Sequence, residues 1–377
     1  MTTDLFATSL RDALSRAPDS AWIREDLALV GWGASTRIDP GTGADRFDRA
    51  LRVLRSTGAP LALASFTFDE NVPGSIAVVP DVLISIDPEG ARFLIGDLGD
   101  LPDPRSMPDL SRGRLFDPGE AEWISGVEDA LAAIRTREVE KVVLSRILTV
   151  DLEAAIPPHL VLANLAVGEP GSHTFLVDQF VGSSPELLIS LHGGRARSVS
   201  LAGSADLEDR MGLRSFDSEK MLREHALAAD SVEDALGPFS PDLKRSPSRI
   251  ATYGEIRHLS TVFEGGIHPG TLVTDLLSAL HPTAAVAGTP TKSALELIRE
   301  LERHDRGRYA GPVGWLDPAG EGEFAIALRC GLIDGHRATL YTGAGLVDGS
   351  DPGVEFEETQ IKLRPMLGAL GLIRDRR

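Results

Sequence analysis

The stretch Tyr341–Lys362, which reads YTGAGLVDGSDPGVEFEETQIK, decides how the C-terminal part of this chain folds. It predicts a strand that runs into a glycine-rich turn and then a helix, with Asp351 as N-cap and Pro352 at the first helical position. Gly343 and Gly345 would allow backbone N–H groups to approach an anion closely. The stretch therefore predicts a strand, a turn and a helix beside a candidate anion site.

Three charged residues lie on one face of that predicted helix. Glu355, Glu358 and Lys362 follow the spacing i, i+3 and i+7, which places their side chains on the same side. Two carboxylates one turn apart can ligate a hard divalent cation such as Mg²⁺, and the lysine can hold an acidic group beside it. A solvated acidic face with a salt-bridged lysine produces the same pattern. A dinucleotide site is disfavoured, because the glycine spacing does not match that motif.

Outward from this stretch, the hydrophobic pattern predicts a mixed protein, α/β or α+β, with much β-structure. The predicted helices cover residues 45–57, 121–137, 158–165, 217–236 and 352–367. The predicted strands cover residues 27–31, 61–68, 75–79, 141–148, 174–181, 186–191, 324–332 and 338–342. The helix at 217–236 is expected to bury an apolar stripe that consists of Leu222, Ala226, Ala229, Val232 and Leu236.

One segment has the composition of a connection between two parts of the chain. Residues 96–118 are rich in Asp, Pro, Arg and Ser, which is typical of a surface segment. We therefore divide the chain into an N-terminal portion, 1–118, and a C-terminal core, 119–377.

Composition and charge exclude several classes of protein. With 377 residues, 42% of them hydrophobic and 25% charged, the chain is not disordered, collagen-like or a coiled coil. Its formal net charge of −18 repels nucleic acid and anionic membranes, so we expect neither as a partner. A small anionic substrate remains compatible with this charge only if local cations or a metal ion receive it.

The sequence also predicts a soluble, cytoplasmic protein. Cys330 is the single cysteine, so no intrachain disulfide can form, which suits a reducing cytosol. The first residues include Asp4 where a signal peptide would carry basic residues. No apolar run approaches the about 18 residues of a membrane span.

Three further charged residues are candidates for chemistry. Lys141 opens a predicted buried strand, and desolvation there would lower its pKa towards the range of a general base, although such a lysine often only extends to solvent. Glu186 precedes an apolar strand and could act as a general acid if burial raises its pKa. Glu224 lies on the predicted long helix, where a solvent-facing glutamate is the simpler interpretation.

Two other segments carry unusual residues. His281–Pro290, HPTAAVAGTP, combines two prolines, a glycine and small residues into a fixed loop that is either a structural turn or a binding loop. Arg329 lies among apolar residues at the end of a predicted core strand. A buried arginine needs an anionic partner, which a substrate carboxylate or a protein carboxylate can supply.

Together, these segments resemble the chorismate-utilising enzymes, a family that includes isochorismate, anthranilate, aminodeoxychorismate and salicylate synthases. The resemblance covers residues 120–367 and rests on motifs that occur in the order of the family. These motifs are KVVLSR at 141–146, GSSPELL at 182–188, LAGS at 201–204, HPTAAVAGTP at 281–290, YAGPVGW at 309–315, GEFAIALR at 322–329 and GAGLVDGSDPGVEFEETQIK at 343–362.

The resemblance implies roles for the candidate residues. Lys141 would be the general base that deprotonates a water molecule attacking C2 of chorismate, and Glu186 the general acid that protonates the hydroxyl leaving C4. Glu224 and Glu358, with Glu355 close by, would hold Mg²⁺, which bridges to the ring carboxylate of the substrate. The remaining implied substrate-binding residues are Gly203, Thr283, Ala285, Tyr309, Arg329, Tyr341, Gly343 and Lys362, of which Arg329 would hold the enolpyruvyl carboxylate.

The resemblance also narrows the reaction. A lysine at the position of Lys141 is typical of members that activate water rather than ammonia. The HPT and PVGW sequences at 281–283 and 312–315 favour isochorismate synthase over salicylate synthase, which eliminates pyruvate from isochorismate and stays the alternative. A non-catalytic acidic metal-binding protein is the rival from another class, and it leaves Lys141, Glu186 and Arg329 unexplained.

The fold that the resemblance implies is one large unit. Two stacked β-rich halves are flanked by helices, and the active site lies in the cleft between them. In this interpretation the boundary near residue 118 is internal to one integrated domain, 1–377, and the protein is a monomer.

Overall fold

The computed structural model describes residues 2–104, 113–117, 119–206, 216, 218–254 and 256–372. Residues 105–112 and Pro118 of the predicted connection, and Asp217 of the predicted long helix, lie outside the described residues. The helices are α1 Thr2–Ser15, α2 Arg46–Thr57, α3 Glu120–Arg135, α4 Pro158–Gly168, α5 Glu219–Leu236, α6 Val273–Leu280, α7 Thr291–Leu301 and α8 Pro352–Ala369.

The strands are short and cover much of the chain. They are β1 Ser20–Arg24, β2 Leu27–Trp32, β3 Thr36–Ile38, β4 Ala62–Ser65, β5 Ile76–Val79, β6 Val82–Asp87, β7 Gly90–Ile95, β8 Gly113–Phe116, β9 Lys141–Leu152, β10 His173–Val177, β11 Phe180–Ser184, β12 Leu187–His192, β13 Arg195–Asp206, β14 Lys244–Arg245, β15 Arg249–Tyr253, β16 Ile256–Gly266, β17 Gly288–Thr289, β18 Pro312–Leu316, β19 Gly322–Ile326, β20 Cys330–Asp334 and β21 Arg337–Val347.

Within the described ranges these strands form two large antiparallel sheets. The first has 11 strands in the order β17-β9-β21-β20-β11-β10-β1-β2-β6-β7, with β8 also paired to β9. The second has 10 strands in the order β14-β16-β13-β12-β19-β18-β4-β5-β3, with β15 also paired to β16. The predicted mixed fold with much β-structure is confirmed. Strands from both sides of residue 118 contribute to each sheet, while the division into two portions stays a prediction.

Successive apolar side chains along the strands belong alternately to two separate apolar layers. On β1, Trp22 belongs to the large core that includes both sheets, whereas Ala21 and Ile23 belong to a second core that includes residues of α1, α4 and α8. This pattern follows from strand geometry, because successive side chains point to opposite faces. The 11-stranded sheet therefore packs against the other sheet on one face and against helices on the other.

The 10-stranded sheet shows the same arrangement at Glu323 and Phe324, which are neighbours on β19. The carboxylate of Glu323 accepts a hydrogen bond of 2.9 Å from Trp22 Nε1 of the opposite sheet. Phe324 lies 6.0 Å from Phe66, which in turn contacts Phe47 of α2 edge-on at 4.7 Å. The sheets thus face each other, and helix α2 covers the far side of the second one.

Two predicted single strands are in fact divided. Residues 174–181 form a hairpin, β10 and β11, whose turn residues Asp178 and Gln179 both have positive φ. Residues 324–332 do not form one strand either, because the chain leaves the second sheet after Ile326 and enters the first at Cys330. Apolar content alone does not reveal where a strand changes sheets.

Other differences concern the helices and the glycine-rich stretch. Helices α1, α6 and α7 were not predicted. On α5, Leu222 of the predicted stripe is 49% exposed, and His225 and Ala228 are buried instead. The predicted turn at Gly343–Gly345 is wrong, because β21 continues through both glycines to Val347. The N-cap is confirmed, since the side chain of Asp351 accepts hydrogen bonds from the first N–H groups of α8.

Among the described residues, no helix is both long enough and apolar enough to span a membrane.

The inter-sheet hydrogen bond from Trp22 to Glu323 should contribute measurably to stability. Trp22 is 0% exposed, and Glu323 is 2% exposed with Arg24 at 3.5 Å from its other oxygen. We expect Trp22→Phe to lower the free energy of unfolding by about 1.5–3 kcal/mol from the lost hydrogen bond, with a further loss from the smaller side chain. Urea unfolding followed by circular dichroism measures this difference.

Trp315→Phe is the matched control, because the indole N–H of Trp315 has no hydrogen-bond partner among the described residues. It should cost clearly less than Trp22→Phe. Equal losses for the two variants would mean that the hydrogen bond to Glu323 contributes nothing.

Candidate active site

A cleft opens between the two sheets, with an empty volume of about 700 Å³ that includes its opening to solvent. Strands β9 and β21 of the first sheet, β13 and β16 of the second, and helices α5 and α8 all contribute to it. Its lining consists of Val143, Pro185, Glu186, Leu201, Ala202, Gly203, Glu224, His258, Ala285, Val286, Tyr309, Leu328, Arg329, Tyr341, Thr342, Gly343, Gly345 and Lys362.

Most of the residues singled out from the sequence meet in this cleft. Those that line it are Glu186, Gly203, Glu224, Ala285, Tyr309, Arg329, Tyr341, Gly343 and Lys362. The other four, Lys141, Thr283, Glu355 and Glu358, do not line it. Lys141 lies directly behind Glu224, and Glu358 contacts Lys362, so both adjoin the lining. Thr283 is buried, and its hydroxyl has no hydrogen-bond partner among the described residues.

Two of these residues lie where the chain passes from one sheet to the other. Glu186 stands between β11 of the first sheet and β12 of the second, and Arg329 stands between β19 of the second and β20 of the first. Arg329 has φ +44°, a left-handed backbone that strand residues do not adopt. The crossings place both side chains in the cleft between the sheets.

Lys141 is completely buried. Its side chain is 0% exposed, and its ammonium group makes no hydrogen bond to any described residue. The closest carboxylate oxygen is Oε1 of Glu224, at 3.6 Å from Nζ. Burial lowers the pKa of Lys141, and the negative charges of Glu224 and Glu186 offset this only in part. The lysine therefore does not extend to solvent, and burial favours its neutral form more than it would for an exposed lysine.

A glycine creates the space for this pair. Gly345 lies opposite Val143 in the pairing of β21 with β9, one residue pair away from Leu346 and Val142. A Cβ at Gly345 would come within 2.4 Å of Glu224 Oε1 and 3.2 Å of Lys141 Cε. Gly345 thus lies within a strand rather than in a turn, and it allows two side chains to pack closely against that strand.

Glu186 is the buried acid of the cleft. It is 4% exposed, and its Oε1 accepts a hydrogen bond of 3.1 Å from the backbone N–H of Leu201. Burial raises its pKa to about 7, against the opposing effects of that hydrogen bond and of the Lys141 charge. Near neutral pH this carboxyl group can therefore hold a proton and release it.

Arg329 has a protein carboxylate as its partner. Its Nη1 donates to Glu169 Oε2 at 3.0 Å, and its Nη2 lies 2.9 Å from His258 Nε2. Because an arginine can only donate, Nε2 of His258 must accept, so the proton of this imidazole is on Nδ1. Burial and the neighbouring guanidinium hold the pKa of His258 well below its usual value, which keeps the ring neutral.

The three predicted metal ligands lie on α5 and α8, and each is close to a lysine. Glu224 faces Lys141, Glu355 pairs with Lys220, and Glu358 lies 2.6 Å from Lys362. Burial and the charges of Glu358 and Glu224 raise the pKa of Glu355 to about 7. The carboxylates thus repel one another in a partly dry environment, which a cation would relieve.

These carboxylates are not yet arranged as a metal site. In the part of the chain that the structure describes, no group of three or more His, Cys, Asp or Glu side chains has the geometry to hold a metal ion. Two of the carboxylates, Glu355 and Glu358, form ion pairs with Lys220 and Lys362. The oxygen donors suit Mg²⁺ in chemical type.

Two tyrosines form part of the wall. The rings of Tyr309 and Tyr341 are stacked, with centroids 5.4 Å apart and planes at 10°. Burial raises the pKa of Tyr341 to about 12 and also raises the pKa of Tyr309. Both phenol groups are therefore neutral and can donate a hydrogen bond. Gly343 lets Tyr309 approach, since a Cβ there would lie 3.0 Å from the Tyr309 hydroxyl.

Sequence reasoning missed His258 and Glu169, the two partners of Arg329. His258 is a lone histidine in the apolar-rich strand β16, a position that could have drawn attention. Glu169 follows helix α4, and nothing in its local sequence signals a buried ion pair. The position of His281, by contrast, favours the interpretation of its loop as a structural turn. Its Nε2 lies 2.9 Å from the backbone oxygen of Phe68.

Comparisons with known proteins agree with this geometry. Residues 102–371 match a family described as chorismate binding enzyme. The chain is 38% identical over 261 residues to the isochorismate synthase MenF of Bacillus subtilis, covering 66% of this chain and 55% of that protein. It is 35% identical over 357 residues to the isochorismate synthase DhbC of the same organism, covering 88% and 86%.

A solved structure extends the likeness to the whole fold. The putative 2,3-dihydroxybenzoate-specific isochorismate synthase DhbC of Bacillus anthracis superposes with a TM-score of 0.83 and 29% identity. The match covers 96% of this chain and 99% of that chain. The N-terminal third, which resembles the family least in sequence, is therefore included in the shared fold.

The raised pKa of Glu186 predicts a specific dependence of stability on pH. The pKa is about 7 in the folded state and 4.5 for an unperturbed glutamate, so the native protein binds the additional proton between these values. This stabilisation is complete below pH 4.5 and is lost as the pH rises through 7. The loss amounts to about 3 kcal/mol.

Glu186→Gln removes this contribution and leaves the shape of the side chain. We expect the stability of the variant, relative to the parent, to rise by about 3 kcal/mol between pH 4 and pH 8 in urea unfolding. The same substitution at the exposed Glu89 controls for the loss of a carboxylate as such. If the free energy of unfolding depended on pH in the same way for the parent and for Glu186→Gln, the pKa of Glu186 would not be raised.

Proposed function

The chain belongs to the family of chorismate-binding enzymes, and we propose that it converts chorismate to isochorismate. One observation carries the proposal: a buried lysine and a buried glutamate, with pKa values shifted in opposite directions by burial, adjoin one cleft. The charge of Lys141 lowers the pKa of Glu186 and the charge of Glu186 raises that of Lys141, so the two groups sense each other. A neutral base and a protonated acid are what a water-adding isomerisation requires.

In the proposed reaction Lys141 and Glu186 move one proton each. The neutral amine of Lys141 takes a proton from a water molecule while that oxygen bonds to C2 of the chorismate ring. The protonated carboxyl group of Glu186 gives its proton to the hydroxyl that leaves C4, and the ring double bonds shift between these carbons. One water enters and one leaves, so the product is an isomer of the substrate.

The cations of the cleft supply the attraction that the whole chain lacks. A net charge of −18 repels a dicarboxylate such as chorismate at long range. Arg329 and Lys362 both line the cleft, and Arg329 is held in place by Glu169 and His258. We assign Arg329 to the enolpyruvyl carboxylate and Lys362 to a carboxylate contact, with Tyr309, Tyr341, Gly203, Gly343, Thr283 and Ala285 shaping the pocket.

We further propose that Glu224, Glu358 and Glu355 hold Mg²⁺ once Lys220 and Lys362 have moved aside. The support is the chemistry of the donors, which are all carboxylate oxygens, and their mutual repulsion at Glu355. When bound, the ion supplies positive charge for the ring carboxylate of the substrate. A monomeric state and a cytoplasmic location stay predictions.

Product analysis tests the proposed reaction. Purified protein is incubated with chorismate and Mg²⁺, with and without ammonium, and the products are separated by chromatography. We expect isochorismate in equilibrium with chorismate, no aromatic product and no effect of ammonium. Salicylate with pyruvate would assign the chain to the alternative reaction, an ammonium-dependent product would exclude water as the nucleophile, and no turnover would refute the proposal.

Replacement of Lys141 should remove most of the activity. We expect Lys141→Ala, and the better space-filling Lys141→Met, to lower kcat by about 10²–10⁴-fold, the usual contribution of a general base. Lys292→Ala, at an exposed position, is the control and should retain parental kcat. A Lys141 variant that folds like the parent and keeps full activity would eliminate this residue as the base.

Glu358 and its neighbour Glu357 provide a matched test of the metal assignment. Glu357 is exposed on the same helix, whereas Glu358 contacts Lys362 beside the cleft. We expect Glu358→Gln to raise the Mg²⁺ concentration for half-maximal binding by about tenfold or more in calorimetric titration, because one anionic ligand is lost. Glu357→Gln should leave the titration unchanged. The same Mg²⁺ titration for both variants would exclude Glu358 as a ligand.

A further inference from the structure

A buried ion pair lies behind one wall of the cleft, outside the residues assigned to the reaction above. Arg306 and Glu302 are 3% and 4% exposed and belong to the segment between helix α7 and strand β18. Nε of Arg306 donates to Glu302 Oε2 at 2.9 Å, and Nη2 donates to Oε1 at 2.6 Å. A bidentate pair of this kind holds the guanidinium group in one orientation.

The same guanidinium group reaches two backbone carbonyls of the cleft wall. Nη1 donates to the oxygen of Val286 at 2.8 Å, and Nη2 donates to the oxygen of Val143 at 2.7 Å. Val143 lies on β9, two residues after Lys141, whereas Val286 lies in the loop 281–290, and both valines line the cleft. Because the guanidinium group is planar and rigid, it connects two wall segments that lie far apart in the chain.

Arg306 replaces a backbone donor that the neighbouring strand does not provide. In a regular antiparallel ladder, two opposed residues exchange a pair of hydrogen bonds. Val143 donates its N–H to the oxygen of Ala287 at 2.9 Å, but the N–H of Ala287 donates to Thr283 instead, at 3.0 Å. The carbonyl oxygen of Val143 accepts from Arg306 Nη2 in place of that N–H.

The ion pair continues along the same edge of β9. Strand β17 covers only Gly288–Thr289, and Glu302 Oε1 accepts the backbone N–H of Ser145 at 2.7 Å, beyond the end of that strand. Arg306 also packs on the ring of Phe68, with its guanidinium carbon 4.3 Å from the ring centroid. The ion pair is therefore held by the sheet edge and by Phe68 together.

We propose that Arg306 is a positioning residue for substrate binding. It does not itself line the cleft, so it acts through Val143 and Val286, whose carbonyl oxygens it holds at a fixed separation. Without these hydrogen bonds the loop that carries Ala285 would separate from β9 in a fraction of the molecules. The apparent affinity for substrate falls with the remaining competent fraction, while the complex, once formed, is unchanged. This inference rests on the proposed conversion of chorismate.

Steady-state kinetics of Arg306→Lys test the proposal. Lysine keeps the positive charge beside Glu302 but has one nitrogen instead of the planar fork, so it cannot reproduce the spacing of the two donors. We expect KM for chorismate to rise about tenfold or more, the effect of one lost charge-assisted hydrogen bond, while kcat stays within about twofold. Arg303→Lys, in the same segment at a side chain that is 85% exposed, is the matched control and should keep the parental KM.

A second variant provides the same test if Arg306→Lys does not fold. Glu302→Gln combined with Arg306→Met removes both charges, so it leaves no buried charge unpaired, and it also removes the donors to Val143 and Val286. This double variant should raise KM at least as much as Arg306→Lys. A purely structural role of the ion pair would lower the yield of folded enzyme and leave the KM of the folded fraction unchanged.

Hydrogen–deuterium exchange without substrate separates the role of Arg306 from the proposed reaction. We expect Arg306→Lys to exchange faster in peptides that cover 141–147 and 281–290, because local opening exposes their amides. Helix α4, on the other face of the first sheet, should keep its parental exchange.

Parental KM in a folded variant, or parental exchange in both peptides, would overturn the role of Arg306. A parent that turns over no chorismate would refute the proposed function, and the exchange rates would still decide whether Arg306 holds the wall.

Discussion

A fully buried lysine imposes the central constraint on this structure. The chain must bring Lys141 to the start of β9, place β21 beside it, and leave a glycine at position 345 so that Glu224 can approach. A buried ammonium group is costly unless a carboxylate lies near or the group gives up its proton. Here the carboxylate is 3.6 Å away and makes no hydrogen bond to the ammonium group, so burial has the larger effect on the pKa. The site thus retains a lysine that can act as a base.

The other charged groups of the cleft lie where the chain passes from one sheet to the other. Glu186 and Arg329 stand at two separate crossings, one from the first sheet to the second and the other in the reverse direction. A residue at a crossing leaves the regular ladder, so its side chain can turn into the space that the sheets enclose. Trp22 and Glu323 connect the two sheets elsewhere by a hydrogen bond. The geometry of the cleft is therefore a property of the stacked pair and belongs to neither sheet alone.

Buried charged side chains in this molecule contact side chains of opposite charge, although the chain as a whole carries an excess of acidic residues. The chain has 56 acidic and 38 basic residues, yet the buried charges occur as partners, such as Arg329 with Glu169 and Glu355 with Lys220. Glu358 is likewise paired with Lys362.

The sequence by itself determined the mixed fold, the N-cap at Asp351 and nine of the residues that line the cleft. These features depend on local spacing or on ordered motifs, both of which can be read along the chain. It did not reveal that 174–181 is a hairpin, that 324–332 changes sheets, that Leu222 is exposed, or that Glu169 and His258 hold Arg329. Each of these depends on contacts between residues that are far apart in the chain, as with the 160 positions between Glu169 and Arg329. Only the tertiary structure decided which lysine is buried, which glutamate has a raised pKa and which arginine is already paired, because pKa and pairing are set by burial and by neighbours in space.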